Sequence, residues 1–124
     1  MIKNFLLVGL GGGIGSMLRY ASSLLIPSRF FPWSTFAVNI TGSFIIGIIL
    51  ALSMRDEVFM NNWKLFLATG ICGGFTTFSS FSAEVVALLQ RAQYLWAAGT
   101  VSLHLFGSLL MTVLGILSVQ QFSK

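Results

Sequence analysis

Charged residues are scarce in this chain. Asp, Glu, Lys and Arg make up 8% of the 124 residues and hydrophobic residues make up 56%, with a mean hydropathy of +0.90. A soluble globule of this length needs more polar surface than that. The composition therefore excludes an ordinary soluble domain and predicts a membrane protein.

The sequence also has only one cysteine and no cluster of cations. Cys72 has neither a disulfide partner nor metal-ligand spacing, and we interpret it as an apolar filler. The seven cations are scattered over the ends of the predicted helices, so the net charge of +4 forms no patch for nucleic acid. No nucleophile and base are spaced on one helix, which argues against an enzyme.

Four apolar segments are long enough to cross a membrane, since a spanning helix needs about 20 mostly apolar residues. The predicted helices, all within one domain over residues 1–124, are roughly 5–26, 33–54, 63–89 and 95–119. We expect three short connections between them: Pro27–Pro32, the polar stretch Arg55–Asn62 in water, and a tight turn from Arg91 to Tyr94.

The third segment is predicted to be broken in the middle of the membrane. Cys72–Ser82 reads CGGFTTFSSFS, in which two adjacent glycines precede hydroxyl residues and phenylalanines. Lipid offers no hydrogen-bond partners, so a broken helix persists there only where protein or water satisfies its backbone. Such breaks mark ion and substrate sites, and this one predicts transport.

Cations are almost evenly divided between the two sides of the predicted membrane. Four lie on the side of the N-terminus and three on the other: Lys3, Arg55, Lys64 and Lys124 against Arg19, Arg29 and Arg91. Cytoplasmic loops normally hold a clear excess of Lys and Arg. Either other factors orient this chain, or it inserts in both orientations.

Small residues recur at helical spacing in the first segment, where Gly11 and Gly15 form a small-xxx-small pair. Such residues let helices approach closely, whether within one subunit or between two. Because 13.5 kDa is little protein to seal a polar pathway from lipid, we expect the chain to oligomerise.

Two helix faces carry polar side chains inside the predicted spans. Asn39 lies one turn after Thr35 on the second segment. Its amide cannot be satisfied by its own helix alone, so it bonds across helices or donates to a ligand, and we favour the ligand. On the fourth segment His104, Ser108 and Thr112 form a stripe that we interpret as a hydrated track.

Phe78 and Phe81 follow the break and share one helix face. The electropositive edge of a phenyl ring can face a small anion without holding it as tightly as a full charge would. Arg19 is either a snorkelling interfacial residue or a vestibule charge that concentrates anions. The role of Glu84, the only acid within a predicted span, stays open.

Three motifs resemble the signatures of the CrcB/Fluc family of fluoride channels. They are GGFTTFSSFS at Gly73–Ser82, GGxGSxLRY at Gly12–Tyr20 and TFAVNITGSF at Thr35–Phe44. The length, the four predicted spans and the small charge bias match this family too, so the resemblance covers essentially the whole chain. Phe75 and Ser80 are mild departures, since leucine and threonine are frequent there.

The resemblance implies an all-α membrane protein that forms an antiparallel, dual-topology homodimer in the inner membrane of a bacterium. Oppositely inserted subunits would explain the balanced cations. Each dimer would hold two passive fluoride-selective pores, export cytoplasmic fluoride and so reduce its toxicity.

The resemblance also implies roles for individual residues. Asn39 would lie along the pore with Phe78 and Phe81 as an aromatic box, and Arg19 would sit at the vestibule. The polar track would comprise Thr77, Ser79, Ser80, His104 and Ser108.

One structural cofactor is implied as well. Backbone carbonyls of Gly73 and Thr76 from both subunits would hold a single sodium ion at the centre of the dimer. Oxygen ligands suit such a hard cation.

Two other classes of protein are alternatives to a channel. A small dual-topology exporter coupled to protons needs an acidic residue in its first helix, and the first predicted helix has neither Asp nor Glu. A non-transporting assembly subunit would use its polar residues only to hold helices together. Flux through purified protein in liposomes separates that alternative from a channel.

Overall fold

A computed structural model describes residues 1–27 and 31–122, and nearly all of these residues are helical. In chain order the α-helices are α1 (Ile2–Leu25), α2 (Trp33–Arg55), α3 (Glu57–Lys64), α4 (Gly73–Phe75), α5 (Phe78–Gln90) and α6 (Tyr94–Phe122). A π-helical segment, Leu65–Cys72, joins α3 to α4. Arg29 and Lys124, two of the cations in the topology argument, lie outside the described residues.

Three helical stretches are long and apolar enough to cross a membrane. They are Trp33–Arg55, Leu65–Gln90 and Tyr94–Phe122, with 23, 26 and 29 residues. Helix α1 is 24 residues long but is not among them, because its glycines and Arg19 lower its apolarity. Length and composition therefore support three spans directly.

Helix α1 packs directly on the backbone of Leu65–Gln90, which is called the broken stretch below. A Cβ atom at Gly11 would lie 2.5 Å from the carbonyl oxygen of Phe66, and one at Gly15 would overlap the carbonyl oxygen of Ile71. On the facing side, a Cβ at Gly74 would overlap the carbonyl oxygen of Gly12. These small residues thus bring two helices together within one subunit.

Helices α2 and α6 approach each other in the same way. A Cβ at Gly47 would overlap the carbonyl oxygen of Thr112, and one at Gly115 would overlap that of Phe44. A Cβ at Gly42 would overlap the side-chain methyl group of Thr76, so the middle of α2 also lies beside the middle of the broken stretch.

The predicted connection over residues 55–62 is largely helical, and residues 28–30 of the first predicted connection lie outside the described residues. The polar stretch Arg55–Asn62 is not an extended loop, because the chain leaves α2 at Asp56 and enters α3 at Glu57. An acid in the first turn of α3 and Lys64 in its last turn complement the helix dipole. The last connection is a tight turn, in which Ala92 adopts a left-handed φ of 57°.

Candidate functional site

The predicted interruption is present in the broken stretch, Leu65–Gln90. Helix α4 ends at Phe75 and α5 begins at Phe78, and between them Thr76 (φ −84°, ψ 158°) and Thr77 (φ −152°, ψ 119°) are extended. The π-helical segment is separated from the break only by the short helix α4. Segments of π-helix are rare in proteins, and those that occur are often found at functional sites.

Asn39 satisfies the backbone of the break from the neighbouring helix. Its Oδ1 accepts from the amide nitrogen of Thr77 at 2.8 Å, and its Nδ2 donates to the carbonyl oxygen of Thr77 at 3.1 Å. Sequence reasoning favoured a ligand for this amide and left a bond across helices open, and the structure shows that bond. An extended residue can thus be kept inside a helical bundle without an unpaired backbone group.

The side chain of Thr77 caps the helix that follows. Its hydroxyl accepts from the amide nitrogen of Ser80 at 3.1 Å and lies 3.2 Å from the hydroxyl of Ser79. This is a standard N-cap arrangement. The amino end of α5, which carries a partial positive charge, therefore faces the break.

His104 reaches the break from α6 and is buried, with 6% of its surface exposed. Its Nδ1 lies 3.3 Å from Asn39 Nδ2. The imidazole sits between Phe36, at a centroid distance of 5.4 Å, and Phe81, at 4.4 Å. Its Nε2 is buried and has no hydrogen-bond partner among the described residues.

The two predicted phenylalanines form a pair on α5. The rings of Phe78 and Phe81 meet edge to face with centroids 5.5 Å apart. Phe78 is 77% exposed, whereas Phe81 is half-buried against His104. The pair therefore extends from the buried imidazole to the surface of the subunit.

These side chains line an open groove of about 660 Å³ between α2, α6 and the broken stretch. Of the site residues predicted from the sequence, eight line it: Asn39, Gly73, Thr76, Thr77, Phe78, Phe81, His104 and Ser108. Ser79 and Ser80 lie in the first turn of α5 but not on the groove. The described residues that line the groove include none with a fully charged side chain.

The predicted hydroxyl stripe on α6 divides into two parts. Ser108 lines the groove together with His104. The hydroxyl of Thr112 instead bonds to the carbonyl oxygens of Ser43 and Ser108, both at 3.1 Å. Thr112 thus belongs to the contact between α2 and α6.

Arg19 is not among the residues that line the groove. Its Nε donates to the carbonyl oxygen of Gly74 at 3.1 Å. That carbonyl is close to the carboxyl end of α4, where carbonyls lack an amide partner from the next turn. The guanidinium therefore supports the break from α1 while Asn39 supports it from α2.

The partner of Glu84 was missed in the sequence. Glu84 Oε1 accepts from the hydroxyl of Thr35 at 2.5 Å, and Oε2 is buried with no hydrogen-bond partner among the described residues. Thr35 and Asn39 are one turn apart on α2. Thr35 bonds to Glu84 and Asn39 bonds to Thr77, as expected if α2 and α5 run antiparallel. Polar residues spaced by turns on consecutive helices were the signal that could have revealed this pairing.

The fold and the site together define a small helical membrane protein in which a broken helix lines an uncharged groove. A model of the family described as CrcB-like protein, Camphor Resistance (CrcB), matches residues 6–116. The chain belongs to this family.

Curated relatives match over almost their whole length. A protein of Yersinia pseudotuberculosis serotype I named fluoride-specific ion channel FluC 1 is 47% identical, with 100% of this chain and 99% of the relative covered. The fluoride-specific ion channel FluC of Acinetobacter baylyi is 45% identical with the same coverage. The protein of that name from Pseudomonas syringae pv. maculicola is 42% identical, with 97% and 96% covered. The family is thus one of ion channels and not of enzymes.

Proposed function

We propose that this protein is a fluoride-selective passive channel that exports cytoplasmic fluoride and so reduces fluoride toxicity. The names of the relatives support this substrate. The observation that carries the proposal is the groove at the helix break, where the ring pair of Phe78 and Phe81 continues directly into the buried imidazole of His104.

The chemistry of the groove suits a small anion that must pass through without being trapped. Ring edges offer weakly positive C–H groups, and the hydroxyls of Thr77 and Ser108 and the imidazole of His104 offer hydrogen-bond donors. No fully charged side chain is among the described residues that line it. Conduction requires binding strong enough for entry and weak enough for release.

The driving force is the membrane potential. Hydrogen fluoride crosses membranes as a neutral molecule from acidic surroundings and ionises inside, which traps fluoride in the cell. A passive anion pathway lets a potential that is negative inside drive the ion out. The proposed site of action is therefore the inner membrane of a bacterium.

The proposed assembly is an antiparallel homodimer of four-span subunits, with α1 as the fourth span. The groove is open on one side within a single subunit, and Phe78 at its mouth is 77% exposed. A second copy would close this side, and two copies would give two pores. Residues outside the groove, Ser79 and Ser80, would extend the polar track, and Arg19 would act from the vestibule side of the break.

A structural sodium ion at the dimer centre is part of the proposal. Gly73 is exposed within the subunit, and a Cβ atom there would meet nothing nearer than the carbonyl oxygen of Ala68 at 3.8 Å. The helix ends at Phe75 and the amide of Thr77 is taken by Asn39, so the carbonyl of Gly73 has no amide partner one turn on. Together with the carbonyl of Thr76, it offers the oxygen ligands and partial negative charge that suit a hard cation.

The test is fluoride efflux from proteoliposomes that contain only this protein, followed with a fluoride electrode while a potassium ionophore removes the opposing potential. We expect rapid fluoride efflux and no chloride efflux under the same conditions. Equal efflux of both anions would contradict fluoride selectivity. No efflux from a correctly folded dimer would favour the alternative of a non-transporting assembly subunit.

A further inference from the structure

The amide of Asn39 has only one orientation that fits its surroundings. The amide nitrogen of Thr77 can only donate and its carbonyl oxygen can only accept. Oδ1 must therefore face the amide nitrogen at 2.8 Å, and Nδ2 must face the carbonyl at 3.1 Å. The backbone of the break thus decides which end of the side chain carries the hydrogens.

The orientation of the Asn39 amide also determines which nitrogen of His104 can carry a proton. The Nδ2 group has two hydrogens, one directed to Thr77, and it also lies 3.3 Å from His104 Nδ1. Because Nδ2 is a donor and cannot accept, Nδ1 is compatible with it only as an unprotonated acceptor. A neutral imidazole with a bare Nδ1 carries its single proton on Nε2.

The other end of the ring is placed where a donor has no partner in the subunit. Nε2 is buried and unpaired among the described residues. His104 is 6% exposed, lines the groove and has its ring tilted by 34° against that of Phe81. Leaving a buried N–H without a partner is unfavourable. A group that is held rigidly in this state is suited to a ligand that enters the groove.

We propose that Asn39, oriented by the backbone of Thr77, is a positioning residue that holds His104 in the Nε2–H tautomer, so that the imidazole presents a buried donor to an anion in the groove. The identity of the anion as fluoride rests on the proposed function. The assignment of the tautomer does not rest on the proposed function.

The chain offers a direct test because it contains a single histidine. Untagged protein labelled with ¹⁵N-histidine gives the nitrogen signals of one imidazole, and couplings to the ring protons tell Nδ1 from Nε2. Without fluoride we expect Nε2 to be of the protonated type and Nδ1 of the bare type. A protonated Nδ1, or rapid averaging of the two nitrogens, would overturn the proposal.

Variants test whether Asn39 is the cause. Asn39→Leu should release the ring into a mixture of both tautomers. Asn39→Asp should move the proton to Nδ1, because a carboxylate only accepts. Thr112→Val is the matched control, since it removes another hydrogen bond between α2 and α6 without contacting His104, and it should leave the signals unchanged. Unchanged signals in a folded Asn39→Leu or Asn39→Asp protein would overturn the positioning role.

Added fluoride tests the donor role. We expect it to shift the Nε2 signal more than the Nδ1 signal, whereas chloride at the same concentration should shift neither. Identical spectra with and without fluoride would overturn the donor role. A wild-type protein that shows the Nε2–H tautomer but no fluoride efflux in liposomes would instead overturn the proposed function alone.

Discussion

Individual side chains stabilise the break in this protein by hydrogen bonds. The Asn39 amide pairs with both backbone groups of Thr77, and the Thr77 hydroxyl caps the next helix. Removing one partner from a buried hydrogen bond costs about 1–3 kcal/mol for each group left unsatisfied. Asn39 and Thr77 therefore satisfy both backbone groups of Thr77 and one amide at the start of the next helix.

The first prediction at this scale concerns the ring pair. Phe78→Ile and Phe81→Ile keep apolar bulk, and such swaps usually cost less than about 1.5 kcal/mol of stability. If ring edges help to carry the ion, either change should slow fluoride efflux by about tenfold or more, which corresponds to ~1.4 kcal/mol at the barrier. Efflux and gel filtration are measured on the same preparation.

Phe106→Ile is the matched control. Phe106 is exposed on α6 and does not line the groove, so its efflux should equal that of the wild type. Normal efflux in both Phe78→Ile and Phe81→Ile would reduce the two rings to a packing role.

At the scale of elements, close backbone packing positions the broken stretch. Helix α1 lies against the π-helical segment and α4 with no room for side chains at Gly11, Gly15 or Gly74. Helices α2 and α6 are joined in the same way. The break is thus held by the packing of α1 on the broken stretch and by hydrogen bonds from α2.

The second prediction compares two glycines of α1. Gly15→Ala places a methyl group onto the carbonyl oxygen of Ile71, whereas a Cβ at Gly13 meets nothing within 4 Å. Overpacking of this kind typically costs about 1–3 kcal/mol, and Gly13→Ala should be neutral or slightly stabilising because alanine favours helix. Thermal unfolding in detergent, followed by the loss of the gel-filtration peak, measures the difference. Equal midpoints for the two variants would contradict the close packing of α1.

At the scale of the whole molecule, the groove is open on one side of the chain. The open groove and the exposed ring of Phe78 are what the proposed antiparallel dimer would cover. Because the described chain leaves Gly73 uncrowded, a larger side chain there reports on the partner and not on the fold of the subunit.

The third prediction uses that property. Gly73→Val should leave the helical circular dichroism of the protein unchanged but abolish the dimer on gel filtration. It should also abolish the stabilisation of the dimer by sodium. Thr76→Ser should be mild, because the backbone carbonyl is the proposed ligand. Gly9→Val, on α1 with nothing within 4 Å of its Cβ, is the control and should stay dimeric. A normal, sodium-stabilised dimer of Gly73→Val would exclude the proposed cation site.

The fourth prediction concerns insertion. Adding two or three lysines within residues 55–62 should fix one orientation and abolish fluoride efflux, and adding them within residues 28–31 should fix the opposite one, because cations retain a loop in the cytoplasm. Co-expression of the two forms should restore efflux. A single biased form that conducts alone would rule out the antiparallel dimer.

Local sequence patterns determined the membrane helices and the existence of the break. Apolar runs of about 20 residues must form helices in a bilayer, since every backbone group has to be satisfied internally. Paired glycines followed by hydroxyl residues mark where one helix cannot continue unaided. Three motifs then sufficed to indicate the family, to which the chain belongs.

Only the tertiary structure decided which partners complete the break. Asn39 and Thr77 are 38 residues apart, Thr35 and Glu84 are 49 apart, and Arg19 and Gly74 are 55 apart. These pairs depend on how α1 and α2 are aligned along the broken stretch, which is set by packing between helices and not by the periodicity of any one helix. Sequence alone therefore identified Asn39 and His104 as residues of interest, while the orientation of the amide and its contact with the imidazole came from packing.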